Sequence, residues 1–289
     1  MMLFRRAARL TVWRMTADGF GEPDANVKGV AITDLRVRFA IKRDLAKGPN
    51  TCEVVITNLS ERTRQSIEKK PLRIKLDAGH DDELRHLFVG DLRFGSSTFE
   101  SPDWNTILHV ADGERAYKHA RANKSYRKGT SVLTILKDAA AAMGLPLPVE
   151  LESSKELQSQ VAAGETLSGF ARDELTRLLA PFGYRWSIQD HRLMILKDQV
   201  TTGVAPWLVS QETGMVGSPT YGSPDKSGKP PSLTVKMLLR PEIIPGGTVR
   251  VESGAIYGKL FKVESVGHTG DTHGDDWFTE LELKEKKPQ

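Results

Sequence analysis

The sequence predicts an α+β protein that is mainly β, with two β-rich regions around a small α+β insert. Three observations carry this. Apolar residues alternate at a period of two through much of 8–57, 72–111 and 232–285, as half-buried strands require. Amphipathic helical spacing is sustained near 130–143 and 166–182, in the middle of the chain. Between about 200 and 231 the composition shifts to Gly, Ser, Pro and Thr, the residues of loops. The expected divisions are 1–112 for the first β region, 113–200 for the insert and 201–289 for a second β region, which alternatively completes the first.

In the first region the runs 8–14, 35–42 and 51–57 read as strands. In the second of these, Leu35, Val37, Phe39 and Ile41 share one face, and Arg36, Arg38 and Lys42 share the other. The period then changes. Asn58 and Ser60 are N-cap residues, Glu61 stands where a capping-box partner of Asn58 would, and a short helix is expected to run to about Lys70 before Pro71 stops it. Strands resume at 72–76, 87–94 and 104–111, with a turn at 79–83 between the first two.

In the insert, Thr130 or Ser131 caps a helix that buries Leu133, Leu136, Ala140 and Met143, and Gly144 follows as its C′ residue. A second helix is expected from Thr166, with Leu167, Phe170, Leu175 and Leu179 inward, ending at Pro181 and Gly183. A hairpin follows, with strands at 184–188 and 192–196 and a turn at 189–191. Residues 217–231 form a long loop, and strands return at 232–238, 247–253, 258–267 and 277–285.

Composition narrows the function classes. Lys plus Arg total 41 against 37 Asp plus Glu in 289 residues, with both signs interspersed, unlike the concentrated basic patch of a dedicated nucleic-acid binder. Aromatic residues are 7%, too sparse for a single-strand stacking platform. The single cysteine, Cys52, permits no internal disulfide and sits in an apolar strand, as a small buried hydrophobe rather than a nucleophile. The basic start is not followed by an apolar signal core, and no window reaches a membrane span, so no membrane insertion and a cytoplasmic site of synthesis are expected.

Candidate chemistry is thin. Gly222–Lys229 resembles a phosphate loop, but it is one residue too long, has Pro230 where Ser or Thr must stand, and has no helix after it. Ser66 and Lys69 have the spacing of a serine acylase without its companion motifs. The run from His268 through Asp271, His273 and Asp275 to Asp276 contains metal-ligand types, yet its glycines read as a polar hairpin loop. His80 to His86 is a weaker echo. The sequence therefore assigns no catalytic, cofactor-binding or metal-ligating residue and expects no cofactor. A profile of strands, caps and charged faces suits assembly better than catalysis.

Several segments in order resemble the baseplate hub proteins of tailed bacteriophages, the late control protein D-like group. They are the Asn58-Leu59-Ser60 joint, Leu87-Phe-Val-Gly90, the Ala111-Asp-Gly113 step into a Lys- and Ser-rich linker reaching Gly129-Thr130, Glu165-Thr-Leu with Phe182-Gly-Tyr184, Met237 to Gly246, and Gly270 to Gly274 with Trp277. The resemblance spans roughly 30–285. It implies two tail-tube-like β-barrels with an inserted domain, a homotrimeric ring in the virion baseplate, and partners in the tail tube protein, the central spike protein and other baseplate or tape-measure proteins. DNA would pass through the channel without sequence-specific binding. Some relatives carry a peptidoglycan-cleaving domain, for which this chain has no room. The alternatives are a cell-wall glycan hydrolase of a phage tail and a stand-alone carbohydrate- or protein-binding β module.

Overall fold

Alternation in the sequence becomes alternation in burial. The structure is a computed structural model that describes residues 5–15, 29–46, 48–67, 72–80, 83–198, 200–222 and 231–286. The first region contains β1 (Arg6–Arg14), β2 (Val30–Ile32), β3 (Val37–Asp44), β4 (Thr51–Thr57), α1 (Glu61–Ile67), β5 (Leu72–His80), β6 (Glu83–Glu100) and β7 (Asp103–Ala111). In β3, Val37, Phe39 and Ile41 are buried while Arg38, Ala40 and Lys42 are exposed. Arg43 keeps the same period and is therefore carried inward.

The joint after β4 works differently from its expected form. Ser60 caps α1, its hydroxyl accepting from Thr63 N at 3.4 Å. Asn58 instead adopts φ 58°, accepts from Trp104 N at 2.9 Å and donates to the Asp103 carboxylate at 2.7 Å. Asn tolerates this left-handed conformation, and the bend ties the β4 end to β7. No capping box forms with Asn58, because Glu61 accepts from Gln65 further along the helix. The expected helix end at Lys70 and Pro71 lies outside the described residues, as do residues 81–82 of the expected turn; β5 continues to His80 and β6 begins at Glu83.

The insert holds α2 (Glu114–His119), β8 (Arg121–Tyr126), α3 (Val132–Ala142), β9 (Glu165–Phe170), α4 (Ala171–Leu179), β10 (Tyr184–Gln189) and β11 (Arg192–Lys197). Ser131 caps α3, accepting from Thr134 N at 3.2 Å. Two expectations are corrected. Residues 114–126, expected as linker, form α2 and β8; and residues 166–170, expected as helix, form β9 paired to β8, with Lys124 opposite Leu167. Leu167 faces the same core as α4, so a strand residue falls by coincidence on the helical spacing. Gly113 turns the chain into α2 at φ 65°, where a Cβ would lie 2.5 Å from Ile188 Cδ1.

The last region contains β12 (Trp207–Val209), β13 (Met215–Tyr221), β14 (Leu233–Leu238), β15 (Thr248–Val251), β16 (Lys259–Asp271) and β17 (Trp277–Glu285). The beginning of the expected 217–231 loop is thus a strand, β13, paired to β14 across a register shift that absorbs Gly217 and Pro219.

Among the described residues, thirteen strands form one sheet in the order β13-β14-β17-β16-β3-β4-β7-β6-β5-β1-β2, with β15 branching from β16 and β12 pairing β15. β16 pairs β3 antiparallel from Ser265 opposite Asp44 to Asp271 opposite Arg38, joining the late strands to the early ones. The hydrogen-bonded path ends at β13 and at β2, so the expected barrels are not closed by it. The buried apolar residues fall into three clusters: one under β1 to β7 that includes Trp277, one in the insert, and one under the last strands.

Candidate functional site

The insert meets the sheet at the tip of the β10–β11 hairpin. Asp190 and His191 form its two-residue turn, both at positive φ (51° and 58°), the geometry that lets a hairpin reverse with the native strand twist. Asp112, fully buried at the end of β7, accepts the backbone amides of Asp190 at 2.6 Å and His191 at 2.9 Å. Asn50 holds the same tip from the β3–β4 connection, donating to Ile188 O and Gln189 Oε1, both at 2.9 Å.

Charged side chains complete the joint. Arg43, buried on β3, donates to Asp190 Oδ2 at 2.6 Å, to Gln189 Oε1 at 3.2 Å and to Leu87 O at 3.3 Å. His86 on β6 lies with Nε2 3.1 Å from Asp190 Oδ1 and Nδ1 3.6 Å from Asp77 Oδ1. Burial alone would keep His86 neutral, but its bonds to Asp190 and Asp77 carry it up to about 9. Burial also opposes the charge on Asp190, and the hydrogen bond from His86 and the charge of Arg43 override it, down to about 2. Asp112 goes the other way, pushed up to about 7 by burial and by neighbouring Asp190. His191 is driven down to about 3 by burial and by Arg73, which pairs with Asp91 at 3.1 Å.

Beside this joint runs a cleft of about 1070 Å³, walled by Trp13, Arg73, Lys75 and Val89 of the sheet on one side and by β11 on the other. Perturbed ionisable groups beside a cleft are what an active site would display. Here, however, three of the four are held by other groups: Asp112 by two amides, Asp190 by Arg43 and His86, and His86 by Asp190 and Asp77. The arrangement locks a hairpin onto a sheet. These contacts position the insert; Cys52 is buried on β4 and burial pushes its thiol up.

The residues singled out in the sequence do not converge. His268 is buried in β16 with Nδ1 2.9 Å from Thr279 Oγ1, and burial drives it down to about 3. Asp271 pairs with Arg36 at 2.6 Å, and His273 bonds Thr272 in the hairpin turn. No group of three or more metal-ligand side chains gathers among the described residues. His80 ends β5 and stacks obliquely near Trp277, while its sequence partner His86 enters the joint. Lys69 and most of Gly222–Lys229 lie outside the described residues. The joint itself went unread, though one signal was available: Arg43 falls on the apolar parity of β3, and a cation on a core face needs a buried partner.

The sheet with its α+β unit resembles the folds of several solved tail proteins. The 43 kDa tail protein of prophage MuSo2 from Shewanella oneidensis superposes with a TM-score of 0.64 at 9% identity, covering 96% of this chain and 98% of that one. The tail protein from Neisseria meningitidis MC58 gives 0.61 at 12% identity, with 96% of each chain covered. The E. coli c3393 protein, a component of the type VI secretion system, gives 0.57 at 12% identity over 87% of this chain and 73% of that one. No curated protein matches the chain by sequence. The family model for baseplate hub gp41 matches residues 23–256, and the chain belongs to that family, a structural component of the phage tail.

Proposed function

We propose that three copies of this chain close into a ring at the baseplate, joining the tail tube to the central spike and leaving a channel for DNA. The observation that carries this reading is the open sheet. Its path ends in unpaired edges at β13 and β2 among the described residues, and open edges are surfaces that a neighbouring copy can complete. Residues 1–112 and 201–289 then act as two tube-like β units, one per position of a pseudo-sixfold ring, and 113–200 is the insert between them. The role is non-enzymatic and the site of action is the virion. Tape-measure and other baseplate proteins are further contacts.

A channel for DNA needs cations that guide without gripping. The outward face of β3 fits this: Arg38 and Lys42 are exposed, and Arg36 nearby is already neutralised by Asp271.

Light scattering of the full-length protein, alone and co-expressed with its spike, tests the reading. The expected mass is about three times 32.0 kDa. A monomer under both conditions that clears a peptidoglycan suspension would overturn it in favour of a glycan hydrolase.

A further inference from the structure

The cleft beside the joint has a feature that locking the insert does not require. All six residues of β11, Arg192 to Lys197, line it. A groove over one face of a strand touches alternate residues; contact with six in succession places the groove along the strand's edge. β11 pairs with β10 on one side, and among the described residues no strand pairs its other side. Six residues span about 20 Å, the length of an added peptide strand.

The charge of the cleft selects the occupant. Arg192 and Lys197 stand at the two ends of the edge; Arg43, Arg73 and Lys75 face it from the sheet, paired with Asp190, Asp91 and Asp77, and Glu150 also lines the cleft. Arg192 is exposed and has no acidic partner among the described residues, unlike Lys197, which pairs with Glu156 at 2.7 Å. Trp13, Val89 and Met194 supply apolar surface between the cations. At about 1070 Å³ and open to solvent, the cleft lies at the upper end of the range of small-molecule pockets.

We infer that an extended, acidic segment of a partner protein binds in this cleft as a third strand on β11, its backbone pairing the free edge and a carboxylate meeting Arg192. The inference does not depend on ring formation, so it stands or falls separately from the hub reading.

The test uses the full-length protein and a fluorescein-labelled nonapeptide of alternating Glu and Val, followed by fluorescence anisotropy at neutral pH. Saturable binding is expected, weakened at least about tenfold by Arg192→Glu and by N-methylation of alternate peptide amides, which removes ladder donors but no charge. A peptide of alternating Lys and Val is expected not to bind. Absence of saturable binding would overturn the proposal. So would equal binding of the N-methylated peptide, which would mean charge adhesion rather than strand addition. Equal binding by R192E, or full displacement by inorganic pyrophosphate, would place the peptide elsewhere or make the cleft a small-anion site.

Discussion

Two sides of the hairpin tip use the same groups and reach opposite charge states. On one side His86 lies between Asp77 and Asp190 and is charged; on the other His191 has Arg73 as its strongest charged neighbour and stays neutral. The paired carboxylates diverge in the same way, Asp190 held ionised by Arg43 and His86, Asp112 pushed towards protonation where it has two amides and another carboxylate near it. The comparison teaches that burial alone does not set the charge of an ionisable group. What decides it is whether an opposite charge hydrogen-bonds the group: His86 lies 3.1 Å from Asp190, whereas Asp91 and Asp112 stay 3.8 and 3.9 Å from the His191 ring nitrogens, and the split divides a clamp of ion pairs from a clamp of backbone hydrogen bonds.

Removing the centre of the charged side should have the largest effect. Arg43→Met removes the buried donor shared by Asp190 and Gln189, leaving Asp190 to His86 and Gln189 Oε1 to Asn50, and should destabilise the joint by about 3 kcal/mol. Hydrogen exchange should show the insert opening first, and Asp190→Asn added to it should restore part of the loss. An R43M protein as stable as the parent would mean the charged side does not hold the joint.

Acid should attack the neutral side. His191 and His268 have native values near 3 against an unfolded value near 6.5. Each therefore favours the folded state above pH 6.5, and that advantage is lost as pH falls from 6.5 towards 3, at no more than about 1.4 kcal/mol per pH unit per group. Melting temperature against pH should fall over that window, and His268→Gln should flatten it.

Asp112 has the opposite sign. Its native value near 7 exceeds the unfolded 3.8, so its contribution is full below pH 3.8 and declines as pH rises to 7. Asp112→Asn forfeits one acceptor for the turn amides, a loss of about 1–3 kcal/mol, and its penalty relative to the parent should shrink between pH 4 and 7. Urea midpoints at both pH values would check this. His86→Gln should flatten a decline in stability between pH 6.5 and 9, since its native value is raised to about 9. The smallest effect belongs to the surface: Lys137→Ala breaks a half-exposed pair with Glu152 and should cost less than about 1 kcal/mol in thermal unfolding.

How much of this was readable varies with how each element is buried. β4 and β17 have the expected bounds and β3 is displaced by two residues, because one face of each meets a core and the period-two signal is strong. β8 reads as Arg-Ala-Asn-Lys-Ser-Tyr, with Ala122 its single fully buried side chain, so pairing with β9 leaves almost no hydrophobic trace. β13 carries Gly217 and Pro219, which local rules assign to loops, and it is held as a strand by β14. The joint was unreadable for another reason: Arg43, His86, Asp112 and Asp190 come from four separate stretches of chain and have no common spacing.

From local patterning alone came the mainly β class, the α+β character of the middle, a cap at Thr130 or Ser131 that the structure places at Ser131, and a hairpin turn at 189–191 that the structure narrows to Asp190 and His191. These depend on neighbours within a few residues, where rotamer, capping and burial preferences act directly. The pairing of β16 with β3, the free edge of β11 and the charge states at the hairpin tip required the folded chain. They arise from contacts between residues tens to hundreds of positions apart, and such energies exist only once the backbone has brought the groups together.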